Sequence, residues 1–313
     1  MSAKPGLAHL PLPLLAVPMG TGGVGLAWRE ASVLFGVPAF IGEAILLLTA
    51  LAWVGLVALH GLRALRHTDA FMAELRHPVR GAFAAAPTIG LMILSGAAFP
   101  YAPGFAALLW SAAVLLHLLV AMLLLRRVIG GRGEAAMLVP PLLIPFVGNI
   151  LAPVFGPRMG FLDLSWMMFG VGLLLWLMIM PLLLHRLFAG PALPSPLKPT
   201  LAIFLAPPAV GALALVALTG TTQGPVLMLA GVAVLIAAVL LSVAREMGAV
   251  PFGLGWWGCT FPTAAFALMM MVLGAPALLC WVALLLTTGL TGFVVWRSVL
   301  VARDGVYLRP ESP

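Results

Sequence analysis

The sequence predicts an all-α integral membrane protein with ten transmembrane helices, paired as five helical hairpins in one domain that covers residues 1–313. The first observation behind this prediction is composition, because 63% of the residues are hydrophobic and only 8% are charged. Soluble domains carry about 25% charged residues, so this chain has too few charges to cover a water-soluble fold. A bilayer core about 30 Å thick takes about 20 apolar residues per helix, and the chain is long enough for about ten such helices.

The second observation is the spacing of the charged residues, because a helix buried in lipid avoids charge. Single spans are predicted at about 10–28, 38–62, 135–157 and 164–184. Three longer uncharged stretches each contain a turn-forming sequence and therefore predict two spans each. These stretches are 81–125, 199–244 and 247–296, with turns expected near 99–104, 219–225 and 274–276.

The distribution of Lys and Arg predicts the orientation of the chain, because positively charged loops are retained in the cytoplasm. An even number of spans places both termini on one side of the membrane. The opposite side has only Arg29 and Arg158. Both termini are therefore predicted to be cytoplasmic. The basic residues assigned to that side are Lys4, Arg63, Arg66, Arg76, Arg80, Arg126, Arg127, Arg132, Arg186, Lys198, Arg245, Arg297, Arg303 and Arg309.

The net charge of +7 does not indicate a nucleic-acid partner, because sixteen Lys and Arg are spread among apolar segments rather than gathered on one face. Cys259 and Cys280 both lie in apolar runs, which argues against a disulfide framework or a paired-cysteine zinc site. The apolar stretch near the N-terminus is interrupted by Pro11, Pro13 and Pro18. We expect it to be the first span and to remain uncleaved.

The third observation is a repeat in the odd-numbered spans, which carry a central proline that the even-numbered spans lack. Such a proline frees backbone polar groups, which membranes tolerate only against protein or a water-filled cavity. The repeat predicts an inner ring of kinked odd helices with quasi-five-fold symmetry around a central pore, and an outer ring that faces lipid. Ordinary helix packing is the alternative explanation. The candidate pore-lining residues from this repeat are Pro18, Gly20, Pro87, Gly90, Pro145, Gly148, Pro208, Gly211 and Pro262.

Polar side chains within the spans are few. Glu43, near the outer end of the second span, is the one candidate carboxylate for binding a coupling ion, and an interfacial position is its alternative. His117 lies deepest among the six histidines and is either a core residue or a proton relay. Asn149, beside Gly148, is a further pore-lining candidate that could donate to a passing anion or to a neighbouring helix.

The sequence contains no short metal-ligand spacing, phosphate-binding loop or cluster of acidic residues and histidines. We therefore expect no cofactor, no metal and no enzymatic activity. A pathway without fixed negative charge that opens onto a basic face favours small anions over cations.

Three short motifs resemble those of the tellurite-resistance/dicarboxylate transporter (TDT) family, which includes TehA-like proteins and the slow-type anion channels of plant guard cells. Residues 256–262 read Trp-Trp-Gly-Cys-Thr-Phe-Pro and resemble the family's Trp-Trp-x-x-Thr-Phe-Pro segment. Residues 77–80 resemble its His-Pro-Val-Arg signature, and residues 205–208 resemble its seventh-span Leu-Ala-Pro segment. The similarity covers nearly the whole chain in matching order.

The resemblance implies a homotrimer in the bacterial inner membrane, in which each subunit has its own pore with odd helices inside. It also implies that Phe261 plugs the pore as its gate, since an aromatic ring in a narrow apolar lumen blocks hydrated ions. Core packing is the alternative role for Phe261. By the same alignment Arg80 lies at the cytoplasmic mouth, where it attracts anions or anchors its helix at the lipid interface.

Two functions follow as hypotheses. The first is passive or gated transport of small anions through the pore. The second is a proton-coupled carrier for C4-dicarboxylates or oxyanions such as malate, tellurite or sulfite, coupled through Glu43 or His117.

Overall fold

The computed structural model describes residues 6–310, which form helices and connecting turns without any strand. Lys4, one of the basic residues used to predict the orientation, lies outside these residues. The α-helices are α1 (Val17–Phe35), α2 (Phe40–Arg66), α3 (Thr68–Arg76), α4 (Ala86–Ala98), α5 (Pro103–Arg127), α6 (Leu143–Val147), α7 (Ala152–Phe155), α8 (Leu162–Ala189), α9 (Ala206–Thr219), α10 (Pro225–Ser242), α11 (Ala244–Gly248), α12 (Trp257–Val272) and α13 (Ala277–Arg303).

Short helices of other types connect or precede the α-helices. A π-helix, Val128–Arg132, follows α5. The 3-10 helices are Leu7–His9, Leu12–Ala16, Arg80–Ala85, Ala135–Met137, Pro140–Leu142, Gly148–Leu151, Pro157–Met159, Ser195–Leu205, Leu254–Trp256 and Val306–Leu308. The three predicted turns all lie between helices, because α4 ends before 99, α9 ends at 219 and α12 ends before 273.

Eight helices in the described part of the chain are long and apolar enough to cross a membrane. Pro140–Phe155 is apolar but shorter, and residues 12–35 are not among the eight. The chain is therefore an all-helical integral membrane protein. The predicted count of ten spans stays a prediction, in which these two segments would supply the additional spans.

Burial divides the long segments into two classes. The most apolar stretches of Arg80–Ala98 and Ser195–Thr219 are 78% buried residues, and that of Leu254–Val272 is 61%. Residues 12–35 and Pro140–Phe155 are also mostly buried. We call these five the buried segments. We call α2, α5, α8, α10 and α13 the outer helices. In their most apolar stretches, between 11% and 33% of the residues are buried.

The buried segments contact one another in a closed order. Helix α1 packs against α4 and α12, α12 packs against α9, α9 packs against α7, and α4 packs against α7. Large apolar side chains of the outer helices face outward, with Leu47, Leu115 and Leu235 each more than 60% exposed. Such surface is suited to lipid or to another membrane subunit.

The prolines of the repeat mostly begin α-helices rather than bend them in the middle. Pro18, Pro87 and Pro208 occupy the first turn of α1, α4 and α9, each of which directly follows a 3-10 stretch. Proline fits this position because the amide it lacks has no partner in the first turn. A proline inside an α-helix, as the sequence predicted, is present at Pro262, but another lies at Pro181 of the outer helix α8.

Backbone carbonyls of the buried segments receive hydrogen bonds from tryptophans of the outer helices. Trp53 Nε1 on α2 donates to the Pro87 carbonyl at 2.8 Å, and Trp110 Nε1 on α5 donates to the Ala152 carbonyl at 2.9 Å. These bonds satisfy the two indole N–H groups, for which lipid offers no acceptor. They also fix two of the buried segments to outer helices.

A buried ion cluster joins the ends of α2 and α3 to the starts of two buried segments. The Glu74 carboxylate pairs with Arg63, accepts a 2.9 Å bond from the Leu12 amide, and lies 3.7 Å from Arg80 Nε. Arg63 also donates to the Ala8 carbonyl at 3.1 Å. The side chains of Arg63 and Glu74 are 3% and 7% exposed, so each charge depends on the other.

We expect Glu74→Gln to destabilise the protein by about 3 kcal/mol or more, because it leaves the buried Arg63 charge uncompensated. Thermal unfolding of the purified protein in detergent measures the change. Glu134→Gln is the matched control, because Glu134 pairs with Arg127 at the surface and exposed pairs contribute little. Equal losses in both variants would contradict this account of the cluster.

Candidate functional site

The five buried segments line a small, partly open cavity with a volume of about 50 Å³. Each buried segment contributes to its wall, and the outer helices contribute no lining residue. All the lining residues are apolar or glycine. They are Met19, Ile89, Leu143, Ile144, Val147, Gly148, Ile150, Leu151, Ile203, Ala206, Pro207, Val210, Gly258, Phe261 and Pro262.

Phe261 and Pro262 bring α12 to the wall of this cavity. The Phe261 side chain is 9% exposed, and its ring lies against α1 at Gly23. A Cβ placed on Gly23 would lie 3.2 Å from Phe261 Cδ2 and 3.1 Å from the Ala264 Cβ. Because Gly23 has no side chain, the Phe261 ring can occupy its present position against α1.

Three of the predicted site residues line the cavity: Gly148, Phe261 and Pro262. The other prolines and glycines of the repeat lie in the same segments but outside its lining. Their predicted role at a pore is untested by this geometry. They are Pro18, Gly20, Pro87, Gly90, Pro145, Pro208 and Gly211.

The glycines outside the lining allow close contact between helices. A Cβ on Gly20 would overlap Thr260 of α12, one on Gly90 would lie 3.0 Å from Trp53, and one on Gly211 would lie 3.0 Å from Leu229. Small residues at such positions let backbones approach each other. This contact supports the packing explanation that the sequence left open.

Sequence reasoning missed the larger apolar residues that form most of the cavity wall. Met19, Ile89, Pro207 and Val210 each lie directly beside a predicted proline or glycine. The repeat therefore located the turns of the helices that reach the cavity, while most of its own residues lie outside the lining. One signal in the sequence could have located these lining residues. Along each segment, a small residue that faces a neighbouring helix alternates with a larger apolar residue beside it.

Asn149 and His117 lie behind the wall. Asn149 is fully buried, its Nδ2 donates to the Phe146 carbonyl at 2.9 Å, and its Oδ1 has no partner within the described residues. A Cβ on Gly172 of α8 would lie 3.2 Å from the Asn149 Cβ, so this side chain points toward an outer helix. The Asn149 amide is outside the cavity lining.

The His117 imidazole, on α5, bonds through Nδ1 to Thr88 Oγ1 at 2.7 Å. Its Nε2 has no hydrogen-bond partner in the range 6–310. A Cβ on Gly148 would lie 2.7 Å from this nitrogen and 2.9 Å from Ile89 Cδ1. The imidazole therefore lies directly behind two residues of the cavity wall, Gly148 and Ile89.

Glu43 belongs to a clamp at the opposite end of the molecule from Glu74. Arg29 of α1 donates two bonds of 2.7 Å to the Glu43 carboxylate of α2 and a third of 3.2 Å to the Ala97 carbonyl of α4. A further hydrogen bond to Glu43 raises the pKa of the Tyr101 phenol. This clamp joins the ends of three helices and is outside the cavity lining.

The His-Pro-Val-Arg sequence forms the start of the second buried segment. His77 Nδ1 accepts bonds from the Val79 amide at 3.1 Å and the Arg80 amide at 3.2 Å, which caps the 3-10 helix that begins at Arg80. The Arg80 side chain is 27% exposed and faces Glu74. Arg80 is therefore joined to the ion cluster, and its predicted role at a pore mouth stays a prediction.

The described residues contain no group of three or more His, Cys, Asp or Glu side chains that could hold a metal ion. Cys259 and Cys280 are both free and buried.

Fold and cavity together define a class of protein, a helical integral membrane protein with an apolar chamber enclosed by its own buried helices. The family described as voltage-dependent anion channel, SLAC1, matches residues 9–302, and the chain belongs to this family. The predicted relationship to TehA-like proteins and slow-type anion channels is thereby confirmed.

Curated relatives agree with this membership at low identity. The S-type anion channel SLAH3 of Arabidopsis thaliana is 23% identical over 315 residues, which cover 93% of this chain and 50% of that protein. The tellurite resistance protein TehA homolog of Haemophilus influenzae is 24% identical over 200 residues, which cover 63% of this chain and 61% of that protein. This chain thus spans about half to three fifths of the length of these relatives.

The contact behind the cavity wall gives a stability prediction. Gly148→Ala should destabilise the protein by about 1–3 kcal/mol, because its methyl group would lie 2.6 Å from Cε1 of the fully buried His117, which Thr88 holds in place. Gly170→Ala is the control, because no atom lies within 4 Å of a Cβ there. Chemical denaturation in detergent micelles measures both, and an unchanged Gly148→Ala would contradict the described packing.

Proposed function

We propose that this protein transports small anions across the membrane, passively or with gating, through the cavity of each subunit, and that Phe261 closes this route. The observation that carries the proposal is that all five buried segments line one cavity and that Phe261 lies in its wall. Membership in the anion channel family supports anions as the transported class.

The chemistry of the cavity is consistent with a closed pore. Its wall lacks any charged side chain, and a narrow apolar lumen excludes hydrated ions by sterics and dewetting. Rotation of one ring would widen such a lumen without disturbing the backbone. The absence of carboxylates from the wall gives cations no compensating charge, whereas basic residues at one end of the molecule raise the local concentration of anions.

The proposal includes the arrangement in the membrane. Ten spans form five hairpins with the buried segments inside and the outer helices outside, both termini face the cytoplasm, and three copies assemble in the bacterial inner membrane. The closed contact order of the buried segments and the exposed apolar surface of the outer helices support this arrangement. Transport rather than catalysis is then the activity of the chain.

A second candidate function is a proton-coupled carrier for C4-dicarboxylates or oxyanions. The name of the Haemophilus influenzae relative, a tellurite resistance protein, favours oxyanions as substrates. Of the two coupling candidates, His117 lies directly behind the cavity wall at Gly148, whereas Glu43 is bound by Arg29 outside the cavity lining, which favours His117.

Phe261→Ala should raise anion current by roughly tenfold or more. Lowering the free-energy barrier to anion passage by about 1.4 kcal/mol is enough to raise the rate of passage about tenfold. Voltage-clamp recording in oocytes, with surface expression measured in parallel, provides the readout. Phe266→Ala is the matched control, since Phe266 lies on the same helix but does not line the cavity. Unchanged current in Phe261→Ala, or an equal rise in both variants, would refute the gate.

Anion flux should be independent of an imposed proton gradient if the protein is a passive channel. Malate and sulfite uptake into proteoliposomes, with and without a pH gradient, tests this expectation. His117→Gln and Glu43→Gln should each leave gradient-independent flux unchanged, with Glu30→Gln as a control for the loss of a carboxylate. Gradient-driven uptake that His117→Gln or Glu43→Gln abolishes would instead establish the coupled carrier.

A further inference from the structure

A groove on the outer surface of the protein runs between α5 and α8. Its volume is about 570 Å³, and it lies among apolar side chains that include Leu118, Met122, Val171 and Leu175. Met122 is 55% exposed, which shows that the groove faces outward from the buried segments. A ligand that fills this length of the groove must itself be apolar.

One end of this groove opens into a basic pocket. Arg126 and Gly130 line both spaces, so the groove and the pocket are continuous. The pocket is also lined by Arg76, Arg127 and Arg132, with Glu134 as its one acidic residue. Four arginines therefore surround the end of an apolar groove.

Most of this positive charge is uncompensated by protein groups. Arg127 is engaged, because it pairs with Glu134 at 2.5 Å and donates to the Arg76 carbonyl at 2.7 Å. Across residues 6–310, no hydrogen bond or ion pair engages the guanidinium groups of Arg76, Arg126 and Arg132. The pocket consequently presents three free cationic groups to a ligand.

Position along the helix adds a constraint on the ligand. The apolar length of α5 ends at Arg126 and Arg127, where a membrane helix reaches the level of the lipid headgroups. The π-helix that follows contains Gly130, where no atom lies within 4 Å of a Cβ. Because Gly130 has no side chain, the passage between the groove and the pocket stays open.

From this arrangement we propose that the groove binds one anionic phospholipid, with an acyl chain between α5 and α8 and the phosphate at Arg126, Arg132 and Arg76. Basic pockets between membrane helices near the membrane surface recognise anionic headgroups in this way. A neutral lipid would fill the groove equally well but would leave the arginines without a counter-charge. This site is separate from the proposed anion pathway, because it shares no residue with the cavity lining.

Lipid retention by the purified full chain tests the proposal. Native mass spectrometry after exposure to equal amounts of dioleoyl phosphatidylglycerol and dioleoyl phosphatidylcholine should show phosphatidylglycerol bound in excess. Arg126→Gln and Arg132→Gln should each lower its retention roughly fivefold, since one arginine near an anionic headgroup is worth about that factor. Arg303→Gln is the matched control, an exposed arginine at the end of outer helix α13 that is remote from the groove lining.

Gly130→Leu tests the groove without changing charge. Its side chain should enter the open passage and lower the retention of phosphatidylglycerol, while Gly289→Leu, also in open space on α13, should not. If Gly130→Leu fails to fold, the two arginine variants decide the question.

Four outcomes would overturn the lipid site. Equal retention of both lipids, or an equal loss in Arg303→Gln, would show nonspecific attraction. Displacement of the lipid by inorganic phosphate alone would assign the pocket to a soluble anion. A fall in the mass of the protein complex to that of one chain in Gly130→Leu would assign the groove to contact between copies.

Discussion

The need to satisfy backbone polar groups inside a membrane governs this structure. Lipid offers no hydrogen-bond partner, so any departure from a regular α-helix requires a donor or acceptor from the protein. The buried segments depart repeatedly, because 3-10 stretches precede their α-helices. Trp53 and Trp110 of the outer helices direct their indole N–H groups onto carbonyls of two buried segments, so those two segments and the outer helices that cover them satisfy polar groups that lipid could not.

Glycines and larger apolar residues have different roles within the buried segments. Gly20 and Gly90 bring backbones into contact with neighbouring helices, whereas Met19 and Ile89, one position away, reach the cavity. This division keeps the chamber narrow without a ring of polar side chains. It also connects packing to the proposed gate, because Phe261 rests on α1 where Gly23 lacks a side chain.

Much of the fold could be predicted from sequence because charge and apolar length follow directly from the physics of lipid. The turns near 99–104, 219–225 and 274–276 and the burial of the proline-bearing segments agree with that reasoning. The face of each helix could not be predicted, since proline and glycine serve both packing and pore lining. Gly20 illustrates this, because only the contact with Thr260 reveals its orientation. The partners of Glu43 and Glu74 also depend on tertiary contacts between distant segments.

The clamp formed by Arg29 and Glu43 bears on how substrate could move through this protein. A carrier that works by alternating access rocks one half of the molecule against the other, exposing a central site to each side in turn. Arg29, Glu43 and the Ala97 carbonyl hold the ends of α1, α2 and α4 together, so these three helices would have to stay on the same side of any such division. Reorientation of a single aromatic ring requires no relative movement of the three helices and is therefore compatible with an intact clamp.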